Sequence, residues 1–164
     1  MELANAIKRA KRVYLIGNGG SYANAMHIAN DLIACGIKAY TLDPASLTAS
    51  ANDHGYETVF SRWISTVGEK GDLLIVLSGS GNSKNLVNAV KTARKKKIAI
   101  YAILGSQESK VGRLLKEEEI EGGGMNMQGA EEYQLEIGHN VMQQLKVIVE
   151  KMKKYKALDG DWDV

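Results

Sequence analysis

GDLLIVLSGSGNSKN, residues 71–85, carries an unbroken apolar run from Leu73 to Leu77 that ends in a turn of serines and glycines and passes at once into a helical pattern. A short aliphatic run without polar alternation is the signature of a strand covered on both faces, and such strands belong to parallel sheets flanked by helices. The same design stands upstream, where VYLI runs into GNGGS and then a helix, residues 13–21. Working outward, Arg12–Ile16, Ala39–Leu42, Leu73–Leu77 and Ile98–Ile103 read as four strands, and a weaker fifth is expected around Glu118–Glu121. Helical patterns over Ser21–Ala34, Glu57–Val67 and Ser83–Lys95 fill the gaps. This alternation predicts an α/β fold, a three-layer αβα sandwich on a five-stranded parallel sheet.

A long C-terminal helix is expected over 129–156, where Leu135, Met142, Leu145, Val149 and Met152 recur at helical spacing. Pro44, the only proline, stands in DPAS after the second strand and predicts a rigid turn. Gly122, Gly123 and Gly124, followed by Met125–Gln128, read as the one mobile loop. A chain of 164 residues without repeats or low-complexity tracts is expected to form a single domain over 1–164.

Composition narrows the function classes. With 45% hydrophobic and 24% charged residues the chain is ordinary globular protein. A net charge of +2 provides no field for nucleic acid, and the run Lys95, Lys96, Lys97 reads as a solvated helix end. Cys35 is the only cysteine, so no internal disulfide forms and a reducing cytoplasm is expected. No apolar run approaches the length of a signal core or a membrane span.

Both glycine-rich turns sit where an anion binds. In GNGGS the glycines let the backbone turn sharply and come close to a ligand, and the free N–H groups of the following helix favour negative charge. In SGSGNS three hydroxyls, Ser78, Ser80 and Ser83, gather at the carboxyl end of a strand, the edge where open α/β sheets bind ligands. Such donors suit a phosphate monoester without a Walker lysine or a magnesium pattern. A dinucleotide site built on GNGG with Asp43 as ribose acid competes, but Tyr22 takes the place of its third glycine, so no nucleotide cofactor is expected.

His27 and Asp31 are four apart on one helix and share a face. Glu131 and His139, eight apart on the late helix, do the same. Two carboxylates and two imidazoles can move a proton between adjacent carbons or close around Zn²⁺, while Glu132, Gln134 and Glu136 make a plain polar stripe the competing reading of the late helix.

Taken in order, GNGGSYANAMHIANDL, NDHGYETVFSRW, GDLLIVLSGSGNSKN and EEYQLEIGH resemble the phosphoheptose isomerases of the sugar-isomerase (SIS) superfamily, from about Val13 to Val149. The resemblance implies a flavodoxin-like strand order and an aldose–ketose isomerase that converts sedoheptulose 7-phosphate to a manno-heptose 7-phosphate through an enediolate. Carried over by position, Ser78, Ser80 and Ser83 hold the phosphate, Asn18, Gly19 and Ser21 line the same pocket, Asp53 contacts the sugar, and Glu131 also lies at the substrate. Asp31 and His139 become the catalytic pair, and His27, Asp31, Glu131 and His139 the zinc ligands. The resemblance further implies a homo-oligomer, tetramer or dimer, with active sites near subunit contacts.

The chain departs from the family pattern in four places. Asp31 stands for a glutamate, Glu131 for a glutamine, Gly79 for a frequent threonine and Cys35 for a frequent arginine. It also begins about ten residues before its first strand, where the family has a longer helical region. The main alternative is a non-catalytic module of this fold that binds a phosphosugar or a protein partner, like bacterial proteins that associate with the replication initiator. Ionisable groups at all four positions favour catalysis.

Overall fold

Every side chain of β1 (Val13–Ile16) and of β3 (Leu73–Ser78) is buried, as the apolar runs Val13–Ile16 and Leu73–Leu77 require. The computed structural model describes residues 2–158, with side chains for 3–147. Its remaining strands are β2 (Ala39–Tyr40), β4 (Ala99–Leu104) and β5 (Ile120–Gly122), and all pair in parallel in the order β2-β1-β3-β4-β5. This is the expected α/β sandwich with flavodoxin-like order.

Among the described residues six α-helices cover the sheet: α1 (Glu2–Arg9), α2 (Gly20–Ala34), α3 (Pro44–His54), α4 (Val59–Val67), α5 (Lys84–Lys95) and α6 (Met127–Leu158). Alternate strand residues serve opposite layers, because strand side chains alternate between faces. Leu15, Ile75, Leu77 and Ile103 pack with Ile7 of α1, Ile28 and Leu32 of α2, and Ile137 and Val141 of α6. Ile16, Leu74, Val76 and Ala102 pack with Phe60 and Ile64 of α4 and Leu86 and Val90 of α5.

Several expectations need correction. The rigid turn at Pro44 is the first turn of α3: Pro44 follows Asp43, whose carboxylate accepts from the Ser46 N–H at 2.9 Å as an N-cap. Strand β2 stops at Tyr40, and the fifth strand begins only at Ile120 because Glu117–Glu119 form a 3-10 turn. The segment Tyr56–Thr58 is likewise a 3-10 turn ahead of α4. Gly122 belongs to β5 and Met127 and Gln128 to α6, which shortens the expected loop. Along α6, Leu145 is buried and Leu135 and Met142 half-buried, while Val149 and Met152 lie outside the described side chains.

Candidate functional site

Strand order reverses between β1 and β3, and the two glycine-rich turns leave the sheet side by side at that point, where open α/β sheets form their ligand crevice. In the first turn, a side chain on Gly17 would meet the backbone oxygen of Ser21 at 2.6 Å, and Gly19 holds φ 56°. Both demand glycine, the first for space and the second for conformation.

The second turn is braced from within. Ser78 is buried and its hydroxyl accepts from the Gly81 N–H at 2.9 Å. Gly81 holds φ 62°, and the backbone N–H of Val111 donates to its carbonyl. Ser80 is exposed, and its hydroxyl accepts from the Asn82 N–H at 3.3 Å. Ser83 occupies the N-cap of α5, yet its hydroxyl makes no capping bond. Two open hydroxyls therefore stand at a helix N-terminus, while Ser78 serves the turn itself. Above them, Met127 covers the turn, its Sδ lying 2.4 Å from where a Gly79 Cβ would sit.

The turns are tied together by an amide pair that sequence reading missed. Asn18 Nδ2 donates to Asn85 Oδ1 at 3.0 Å, and Asn85 Nδ2 donates back to Asn18 Oδ1 at 2.8 Å. The Tyr56 hydroxyl adds a third bond, donating to Asn18 Oδ1 at 2.7 Å.

Helices α2 and α6 run parallel against one face of the sheet and are fastened by a buried polar ladder. Gln134, wholly buried, donates to Ser21 Oγ at 3.1 Å and accepts from Asn24 Nδ2 at 3.1 Å. Asn24 Nδ2 also donates to the Glu131 carbonyl at 2.9 Å. Ser21, predicted to line the pocket, thus has its hydroxyl inside this ladder and only 2% exposed.

Two turns further along both helices, His27, Asp31 and His139 converge. The Nε2 atoms of the imidazoles are 3.0 Å apart, and Asp31 Oδ2 lies 3.5 Å from His27 Nε2 and 3.9 Å from His139 Nε2. Four-coordinate Zn²⁺ with bonds of 2.0–2.1 Å separates its donors by about 3.3 Å, so these three groups fit the ion's N/O donor set with little adjustment. A set of three such groups would leave one position of a four-coordinate ion open. Both imidazoles are about half exposed, at 49% and 46%.

Glu131 does not join them. Eight residues of helix separate it from His139, about 12 Å of rise, and its carboxylate instead overlies Gly20, within 2.4 Å of where a Cβ would be. Of the four expected ligands the structure thus brings three together, and Glu131 is placed at the first turn of α2, where a negative charge is favoured. Asp53 also stands apart: it is exposed on the last turn of α3 and accepts from Asn52 Nδ2 at 2.9 Å. Asp43, the ribose acid of the dinucleotide alternative, is committed to capping α3, and its bonds from Ser46 hold its carboxyl below the ordinary range.

Two clefts open elsewhere on the surface. One of about 450 Å³ lies between α3 and α4, lined by Asp43, Ser46, Arg62 and Trp63. Another of about 480 Å³ lies between residues 106–108 and 122–124. Neither includes the His27–Asp31–His139 cluster, which sits on an open face.

With this geometry in view, the chain compares with known proteins as follows. The model of the SIS domain family matches residues 2–105. A phosphoheptose isomerase of Glaesserella parasuis is 40% identical over 119 residues, 68% of this chain and 62% of that protein. The match therefore spans about three-fifths of the curated relative's length. The solved phosphoheptose isomerase of Neisseria gonorrhoeae superposes with a TM-score of 0.80 at 28% identity, covering 88% of this chain and 81% of that one. That of Francisella tularensis gives 0.81 at 25% identity, covering 88% and 83%. Among the described residues, no helix is long and apolar enough to cross a membrane.

Proposed function

We propose that this chain, which belongs to the SIS domain family, interconverts the ketose and aldose forms of a phosphorylated sugar. The substrate we propose is sedoheptulose 7-phosphate, converted to D-glycero-D-manno-heptose 7-phosphate, or a close relative of that pair. The observation that carries the reading is the convergence of His27, Asp31 and His139 on two parallel helices, one of which starts at the GNGGS turn.

In this reading the phosphate sits at the serine turn, with Ser80 and Ser83 as hydroxyl donors and Ser78 holding the turn's shape. Asn18 and Gly19 line the sugar beside it. Ser21 acts from behind, through Gln134, by fixing the start of α2. Asp31 removes the proton from the carbon beside the carbonyl and returns it to the neighbouring carbon, while His139 moves the proton between the two oxygens. The intermediate between these steps is an enediolate. His27, Asp31 and His139 would hold Zn²⁺, which when bound polarises the carbonyl and hydroxyl oxygens of the substrate. Glu131 is kept from the donor set and lies at the α2 N-terminus on the substrate side.

Two further parts of the reading rest on exposure and composition. A catalytic cluster that is half open on one face is completed by a second copy of the chain, so the working form is a homo-oligomer. A single buried thiol, Cys35, suits the cytoplasm.

The experiment is conversion of sedoheptulose 7-phosphate followed by NMR, with and without added Zn²⁺, alongside melting curves with the same sugar. The reading expects an aldose phosphate and a raised melting temperature. No product together with an unmoved melting temperature overturns it.

A further inference from the structure

Met127 lays a thioether on the serine turn, and its place there is fixed by the main chain. The Met125 N–H donates to the Gly105 carbonyl at 3.0 Å and the Gly105 N–H to the Ser78 carbonyl at 3.0 Å, so the chain entering α6 is tied to the end of β3. Asn126 caps the helix, its side-chain oxygen accepting from the Gly129 N–H at 2.8 Å. From that start the Met127 side chain reaches over Gly79, with Cε 2.8 Å from where a Cβ of Gly79 would sit and Sδ closer still. Gly79 is buried beneath it, while the next residue, Ser80, is exposed.

The same residue is open to water. Of the four methionines whose side chains the structure describes, Met127 is 55% exposed and Met26 39%, while Met125 and Met142 are half-buried. The Cys35 thiol is buried. Oxidants attack accessible sulfur, so among the described residues Met127 is the thioether they meet first. Beside it the turn has donors to offer: the Ser80 hydroxyl accepts from the Asn82 N–H and keeps its own hydrogen, and the Ser83 hydroxyl makes no capping bond.

We propose that Met127 is an oxidation site whose sulfoxide competes with phosphate for the serine turn. The oxidant is hydrogen peroxide. A lone pair of Sδ attacks one peroxide oxygen, the O–O bond breaks as the S–O bond forms, and the departing hydroxide takes the proton of the transferred oxygen and leaves as water. Sulfur loses two electrons and the peroxide gains them. Two thiols of a methionine sulfoxide reductase system reverse the step, forming a disulfide and water. The product carries a polar acceptor where an apolar group stood. With Gly79 packed against the sulfur on one side, the new oxygen lies toward the open turn and accepts from the Ser80 and Ser83 hydroxyls that a phosphate would use. This rests on the phosphosugar reading above and adds to it a modification that reversibly lowers affinity.

The test treats wild type and Met127→Leu with hydrogen peroxide, removes the excess with catalase, and locates the added oxygen by fragment-ion mass spectrometry, which separates Met127 from Met125. Calorimetry then gives Kd for sedoheptulose 7-phosphate, inorganic phosphate and Zn²⁺. In wild type, oxidation at Met127 should weaken both phosphate ligands about three- to tenfold, the worth of one neutral hydrogen bond. Zn²⁺ binding should stay unmoved, since His139 stands about 18 Å further along α6. Methionine sulfoxide reductases with dithiothreitol should restore the original Kd values. Met127→Leu, compared only with its own untreated state, should show no change. The inference is overturned by Met127 left intact when Met26 is oxidised, by full phosphate affinity in protein oxidised at Met127, by a parallel loss of Zn²⁺ affinity, or by the same loss in treated Met127→Leu. A wild type that binds neither phosphate ligand before treatment removes the functional reading, and this inference with it.

Discussion

His27 and His139 bring their Nε2 atoms to 3.0 Å of each other with rings crossed at 78°, although they stand 112 positions apart in the chain. With Asp31 beside them, the two half-exposed imidazoles form an N/O donor set of the kind that Zn²⁺ takes. Metal affinity should therefore depend on each of the three. His27→Ala and His139→Ala are each expected to weaken Zn²⁺ binding by at least about 100-fold, since losing a ligand costs no less than losing its outer support. Competition with a coloured chelator measures this, and wild-type affinity in either variant would remove the site.

The serine turn should divide into a structural and a binding part. Ser78→Ala leaves the buried Gly81 N–H without its acceptor and is expected to cost about 1–3 kcal/mol in urea unfolding. Ser80→Ala and Ser83→Ala should leave stability within about 0.5 kcal/mol but reduce the melting shift given by a phosphosugar. A full ligand shift in the Ser80→Ala, Ser83→Ala double variant would place the phosphate elsewhere.

Gln134 is the joint between the two site-bearing helices. Gln134→Leu strips partners from both Ser21 and Asn24 inside the protein, and unfolding stability should fall by about 2 kcal/mol or more. Because the ladder sets how α6 lies on α2, Zn²⁺ affinity should fall as well. Unchanged values for both would mean that packing alone holds the helices in register.

Acid should weaken the Arg94–Glu119 pair on the far side of the sheet. Burial raises the Glu119 carboxyl, but the Arg94 guanidinium and the Lys116 N–H outweigh it and leave the group below its ordinary range. A carboxyl lowered on folding contributes stability at neutral pH that is lost as pH falls through its folded value. Arg94→Ala should therefore cost about 1 kcal/mol at neutral pH, and the gap from wild type should close in acid. Urea midpoints taken across that range check the sign, and a gap that widens in acid contradicts it.

Strands were legible because a strand covered on both faces needs a continuous apolar run, which β1, Leu73–Leu77 of β3 and Ile100–Leu104 of β4 supply. The ends of the sheet were less so. Strand β2 is an edge of two residues, and β5 is half-exposed and carries Glu121, so neither needs a continuous apolar run. Helix α3 buries no residue fully, which leaves no apolar period to read, and its capping pair Asp43–Pro44 passes equally well for a turn. Helix α1 did leave a signal in Leu3, Ala4 and Ile7, one helical turn apart, but it is only eight residues long.

Within the site, the His27–Asp31 pair was readable because four residues of helix determine it. Placing His139 beside them required the parallel docking of α2 and α6, a tertiary fact. Glu131 shows the limit of face arguments: sharing a helix face with His139 says nothing about the distance along the axis. Gln134 shows the opposite error. In sequence it belongs to a polar stripe with Glu132 and Glu136, yet it is wholly buried and both of those are exposed. No spacing rule distinguishes a buried amide from a solvated one, because its partners Ser21 and Asn24 lie more than a hundred residues away.

The most direct measurement is turnover of sedoheptulose 7-phosphate by His139→Ala beside wild type, with binding of the sugar followed in parallel by melting temperature. The account predicts that the variant still shows the ligand-induced shift but forms no aldose phosphate. Aldose formation at the wild-type rate by His139→Ala would contradict it, for the cluster on α2 and α6 would then have no part in moving the proton.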